Sequence, residues 1–198
     1  TSLKLADALR RQVPGIQYVA ECDWIGEHGL MVGDKKLYLG GAIAGTDFFK
    51  ILQYPFIQGN AGTAFKDAYS IVLTQTMAKT LFGNEDAMNK TVRFDNKNDL
   101  KVTGILKDIP GNATVDFNFV VPSTYIYQVN PSAKADGLRS FGNNNLQIFV
   151  KLKPGIAYKQ VEPRIRNIEH TEKGDINAMN SYVTLQPMAR WHLYSNYV

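Results

Sequence analysis

The tightest constraint on this chain is a pair of alternating apolar runs around one polar tetrapeptide, in "KTVRFDNKNDLKVTGILKDIP" (Lys90–Pro110). Val92 and Phe94 on one side, and Leu100 and Val102 on the other, recur with period two, as a strand with one buried face requires. Asn96-Lys97-Asn98-Asp99 between them has the residue types of a turn, so the two runs pair as an antiparallel hairpin. A second hairpin is read in "GLMVGDKKLYLGGAIAG", where Gly33-Asp34-Lys35-Lys36 separates two apolar runs. Neighbouring hairpins imply a mainly antiparallel sheet.

Helices are interleaved with these strands. "LKLADALRRQVPG" places Leu5, Leu9 and Val13 at i+4 spacing and is ended by Pro14-Gly15. "IQYVAECDW" follows as a strand, with Ile16, Tyr18, Ala20 and Cys22 on one face. Thr46 or Asp47 is placed to cap a short helix, "DFFKILQ", which Pro55 cannot extend, and "YPFIQGNAGTAFKDA" reads as a loop with apolar anchors. Ser70-Ile71-Val72-Leu73 is a strand feeding a helix capped by Thr74, with Met77, Leu81 and Phe82 on one face and Gly83 as the stop. "VDFNFVVP" and "LQIFVKLKPG" are strands, while 123–145 carries a weak signal for one helix and an Asn-rich loop. "YKQVEPRIRNIEH" is a helix with Pro163 expected in its first turn, and "SYVTLQPMARWHLYSN" closes with a strand and an exit segment. The fold class is α+β.

Little chemistry is visible. The net charge of +4 is scattered, and no basic run with interleaved aromatics marks a nucleic-acid surface. Cys22 stands alone, so no internal disulfide forms, and without a local base it reads as a small core residue. His28, His170 and His192 lie far apart, outside any metal-ligand spacing, and read as surface or capping residues. "GGAIAGTDF" (Gly40–Phe48) lacks both the P-loop ending and the dinucleotide spacing, so its glycines are expected to allow a bulge or a close backbone approach. Glu85, Asp86, Asp95 and Asp99 fall in turns, where solvated carboxylates are expected. No residue is therefore nominated as catalytic, cofactor-binding or metal-ligating, and the strand–helix unit at 70–86 reads as scaffold. No apolar run reaches the ~20 residues of a membrane span. The start at Thr1, with no leader pattern, is expected of a piece of a longer protein.

Four segments in order, "DFFKILQYPFIQGN", "SIVLTQTMAKTLFGNEDAMNKTVRF", "LKVTGILKDIPGNATVDFNFVVP" and "LQPMARWHLYSN", resemble the periplasmic core domain of MacB/FtsX-type ABC transporter permeases. The resemblance is close over 48–121 and returns in the last dozen residues. Asn89 departs from it, standing before Lys90 where that family has glycine.

The resemblance implies a noncatalytic domain without cofactors, set between the first two of four membrane helices. It implies two lobes, a porter-like one of residues 1–53 and 146–198 and a smaller β-rich insert of 54–145. Helix Leu3–Val13 would end the membrane stalk and pack near Trp191 and Leu193. The implied partners are a cytoplasmic ATPase subunit, a second copy of the permease, and a periplasmic adaptor or outer-membrane protein, in a Gram-negative inner membrane. The implied role is to relay ATP-driven motion to the export of a substrate. The alternatives are an extracytoplasmic sensor or ligand-binding module, which needs a concave apolar pocket, and a periplasmic hydrolase, which needs a histidine beside a carboxylate and a nucleophile.

Overall fold

The structure is a computed structural model and describes residues 1–142, 144–171 and 180–191. Helix α1 (Leu3–Gln12) begins at Ser2, whose Oγ accepts from the Leu5 amide at 3.2 Å, and buries Leu5, Ala6, Ala8 and Leu9. It leads into β1 (Ile16–Cys22). Both Val19 and Ala20 are buried there, so β1 is covered on its two faces rather than one.

Strands β2 (Gly26–Val32) and β3 (Lys35–Ala44) form the expected hairpin with a tighter turn than the tetrapeptide read from sequence. The closing pair is Val32–Lys35, leaving only Gly33-Asp34, with Gly33 at φ +56 in the left-handed conformation that a two-residue loop needs. Lys35 joins the strand because its Nζ donates to the carbonyls of Thr80 and Leu81, at the negative end of a later helix. Helix α2 (Phe48–Leu52) has Asp47 at its start, but the carboxylate takes Lys50 Nζ at 2.9 Å, so neither Thr46 nor Asp47 caps with its side chain.

Within the segment read as a loop lies β4 (Phe56–Gln58), three residues and too short to show a period. Then β5 (Ser70–Thr74) is buried at every position and feeds α3 (Gln75–Phe82). The cap is as expected, Thr74 Oγ1 accepting from Met77 N at 3.3 Å. Asn89 adopts φ +64, the left-handed conformation its family counterpart glycine would take without strain.

The Lys90–Pro110 hairpin is β6 (Thr91–Phe94) and β7 (Asn98–Leu106), and its turn is Asp95-Asn96-Lys97, one residue earlier than expected. Asp95 and Asn96 take the two left-handed positions. After β8 (Phe119–Pro122) the weak-signal region holds two helices, α4 (Ser123–Val129) and α5 (Pro131–Gly137). Strand β9 (Gln147–Leu152) leads to α6 (Tyr158–Ile165), where Pro163 sits at the sixth position, beyond the first turn. Residues 180–187 form no strand, and the exit segment from His192 onward lies outside the described residues.

Six strands close on themselves. The pairings run β2–β6–β7–β5–β8–β3 and return from β3 to β2, while β1 and β9 extend from β3 as an antiparallel ribbon and β4 joins β7. The sheet is mixed: β3–β8 and β5–β7 are parallel, and the remaining pairings are antiparallel. The closed ring includes β2 and β3 together with β5 to β8. Its interior packs Leu30, Ile71, Leu73, Phe94, Leu100 and Phe119, with Met77, Leu81 and Tyr125 added from α3 and α4. A Cβ on Gly41 would lie 2.1 Å from the Phe119 ring, so the close-approach reading of the Gly40–Phe48 glycines holds. A second core joins the ring to one face of the β1–β9 ribbon through Ala20, Cys22, Phe48, Phe49 and Phe149. The other ribbon face is covered by α1 and α6, through Leu5, Leu9, Val19, Val161 and Ile165. Trp191 packs on Phe149 at 5.9 Å, on the ribbon face opposite α1. The expected contact between α1 and Trp191 is thus replaced by packing of α1 on β1, because the ribbon stands between them.

Candidate functional site

Cys22 is fully buried, and its thiol is pushed up to about 12 by burial and by the neighbouring Asp23 and Glu21. A thiol held that firmly in its neutral form is no nucleophile. It is the core residue its sequence context indicated.

His28 departs from the surface role expected of it. It lies on β2, and its ring packs on Phe94 at 4.9 Å and Phe119 at 6.2 Å. Its Nδ1 is 2.9 Å from Asp95 Oδ2, while Asp95 Oδ1 accepts from Gly29 N at 2.8 Å. Asp95 is therefore a turn residue that ties the β6–β7 hairpin to β2, and not a solvated carboxylate. A histidine–carboxylate pair needs a nucleophile to become hydrolytic. Among the described residues no serine, threonine or cysteine side chain bonds His28. His170 lies in a 3₁₀ turn (Ile168–Thr171), with Nε2 2.6 Å from the Ser181 carbonyl, so it fastens the returning chain. His192 lies outside the described residues.

Of the other acidic turn residues, the exposed Asp86 accepts from the Met88 amide at 3.0 Å, and Glu85 and Asp99 are paired on the surface. Glu85 meets Lys90, whose ammonium holds its carboxyl below the usual range, and Asp99 meets Arg93 at 3.2 Å. Among the described residues no group of three metal-ligating side chains converges.

The most organised polar cluster escaped the sequence. Glu21 is 6 % exposed, and both its oxygens are used, Oε2 by Arg10 of α1 at 3.2 Å and Oε1 by Ser123 of α4 at 2.9 Å. Arg10 also donates to the Val19 carbonyl at 3.0 Å. A Cβ at Gly45 would lie 2.7 Å from Glu21 Oε2, so the glycine makes room for the carboxylate. The consecutive elements α1 and β1 are thereby fastened to α4, which lies about a hundred residues on. Beside it, Asp23 accepts from Ile43 N at 2.8 Å, and burial pushes its carboxyl up. Tyr127 is pushed up to about 12 by burial and by Glu21. With both oxygens of the buried Glu21 engaged, and Arg10 half-exposed above it, the cluster specifies an arrangement and leaves the carboxylate no free oxygen for catalysis.

A groove of about 370 Å³ runs between β9 and residues 184–186, walled by Trp24, Met188 and Trp191, with Thr1 at its mouth. Trp24 is 64 % exposed, the largest aromatic so displayed among the described residues, and none of the described residues that line the groove has a charged side chain.

Comparison with known proteins gives a consistent answer. The family described as the MacB-like periplasmic core domain matches over residues 1–168. A domain of a Porphyromonas gingivalis protein described as a permease superposes with a TM-score of 0.71 at 18% identity, covering 94% of this chain and 86% of its own. The periplasmic region of MacB from Actinobacillus actinomycetemcomitans gives 0.62 at 21% identity, covering 84% and 72%. The extracellular domain of the noncanonic ABC-type transporter YknZ from Gram-positive bacteria gives 0.63 at 16% identity, covering 94% and 89%. No curated protein sequence matches the chain. None of its described helices is long and apolar enough to cross a membrane.

Proposed function

The chain belongs to the family of MacB-like periplasmic core domains, the extracytoplasmic part of ABC transporter permeases, and on that premise we propose that it relays ATP-driven motion of the membrane helices to export. The observation that carries this reading is the fastening of α1 to β1 and α4 through Arg10, Glu21 and Ser123. Motion of α1 then has a path into the rest of the domain. The Arg10–Glu21–Ser123 cluster links α1 to β1 and to the start of α4, directly after the ring strand β8. The ring itself is filled by large side chains, which suits transmission and not ligand capture.

On this proposal the domain makes and breaks no bonds. ATP hydrolysis takes place on a cytoplasmic subunit, and the permease acts as a homodimer that hands its substrate to an adaptor or outer-membrane partner. The division into residues 1–53 with 146–198 and residues 54–145 is part of the same proposal. On this division β2 and β3 fall in the first part, so the two parts meet at the β2–β6 and β3–β8 pairings and where α1 packs on α5.

A reversible staple tests the relay. A Cβ on Gly137 would lie 3.3 Å from Leu3 Cβ, close to the ~3.5–4.5 Å between the Cβ atoms of a disulfide. Leu3→Cys with Gly137→Cys therefore fastens α1 to α5 on oxidation, and buried Cys22 takes no part. In the full permease reconstituted with its ATPase, oxidation is expected to stop export while ATP hydrolysis continues, and reduction restores export. Unchanged export in the oxidised form overturns the relay.

A further inference from the structure

The groove beside β9 has the dimensions and chemistry of a missing strand. Its walls are runs of consecutive residues, 146–150 on one side and 184–186 on the other. Successive side chains of an extended segment point to opposite faces, so a groove touching five in a row follows the strand's edge, where its backbone groups point. The register identifies those groups. At the groove's mouth Thr1 N donates to the Leu146 carbonyl at 2.9 Å, and Leu146 N donates to the Thr1 carbonyl at 3.0 Å. This reciprocal exchange is the hydrogen-bonded pair of an antiparallel ladder. With Leu146 directed outward from β1, Ile148 and Val150 direct their N–H and C=O the same way, two and four residues on. Among the described residues, no backbone bond from 184–186 reaches them.

We infer that this groove seats an additional strand, and that its occupant is the stretch of the permease leading into Thr1. The ladder begun at Thr1–Leu146 continues with the second upstream residue opposite Ile148 and the fourth opposite Val150. Alternate side chains of that strand fall on Phe149 and Trp191 on one face, and beside Ile148, Val150 and Leu185 of the α1–α6 core on the other. A strand antiparallel to β9 is parallel to β1, so α1 becomes the crossover of a strand–helix–strand unit. A strand from another polypeptide meets the same backbone groups, but Thr1 already occupies the first position of the ladder. The inference needs only that the chain continues upstream, and is independent of whether the domain relays motion.

Amide hydrogen exchange tests it, comparing the 198-residue chain with the same chain extended by the ten residues preceding Thr1 in the permease. In the extended chain the Ile148 and Val150 amides are expected to exchange about a hundred-fold more slowly, as groups released only by local opening do. The same ten residues, added as a free peptide to the shorter chain, are expected to give saturable protection at these two amides, and a scrambled peptide none. If the extended chain fails to fold, the peptide titration decides alone. Unchanged exchange at both amides overturns the inference. So does protection already present in the shorter chain, which means that its own residues fill the groove, or equal protection by the scrambled peptide, which means a general strand acceptor.

Discussion

Ser70 opens β5 with a fully buried hydroxyl that has no hydrogen-bond partner. An unmet buried hydroxyl costs about 1–3 kcal/mol, so Ser70→Ala is expected to raise the unfolding free energy by about 1 kcal/mol in urea titrations. Asp23 supplies the pH dependence. Its carboxyl is raised above the ordinary 3.8 by burial, so the folded form holds its proton to higher pH than the unfolded chain does. Its charge therefore weakens the fold, not at all below pH 3.8, increasingly above it, and fully once pH exceeds the raised value. Asp23→Asn keeps an acceptor for Ile43 N and is expected to raise the melting temperature at pH 7, with the gain vanishing toward pH 3. At this scale Cys22 was legible, because a thiol with no base nearby in sequence has few roles outside the core. His28 with Asp95 and Arg10 with Glu21 and Ser123 were not, because each contact depends on tertiary placement. Nothing local marks a glutamate in an alternating strand as the partner of a serine 102 residues away.

The elements that sequence revealed are those whose signals are local. The Thr74 cap rests on one hydroxyl and an amide three residues on, and Thr74→Ala is expected to cost about 1 kcal/mol. The β6–β7 hairpin was legible from its period, but the turn slipped by one residue because Asp95, Asn96, Asn98 and Asp99 all suit a turn. What decided it was the bond from Asp95 N to the Gly29 carbonyl, a tertiary contact. β4 is too short to show alternation, and α5 begins at Pro131 in a polar stretch without an apolar stripe. Ring closure was also hidden, since β2 with β6 and β3 with β8 are pairings between segments far apart in the chain. Gly41 is where that closure is tightest. Gly41→Ala brings a methyl onto the Phe119 ring and is expected to cost about 1–3 kcal/mol, as overpacked cores do. Matched urea titrations of the two variants give both losses.

For the molecule as a whole, the filled ring and the doubly covered ribbon bury most of the large apolar residues within the chain itself, Trp24 and Tyr38 being among the exceptions. The 198-residue chain is accordingly expected to scatter light as a monomer of 22.1 kDa, with dimerisation left to the full permease. A tight dimer would mean that an external face is an obligate interface. The closed ring also constrains how the protein is made on the ribosome. The β2–β3 hairpin can form as soon as residue 44 has emerged, but the ring cannot shut until β8 ends at Pro122, and β1 waits for β9, which ends at Leu152. Pairings so distant in sequence form late and slowly. Until residue 152 has emerged the nascent chain displays unmatched apolar strands, which makes it a natural client for a holding chaperone.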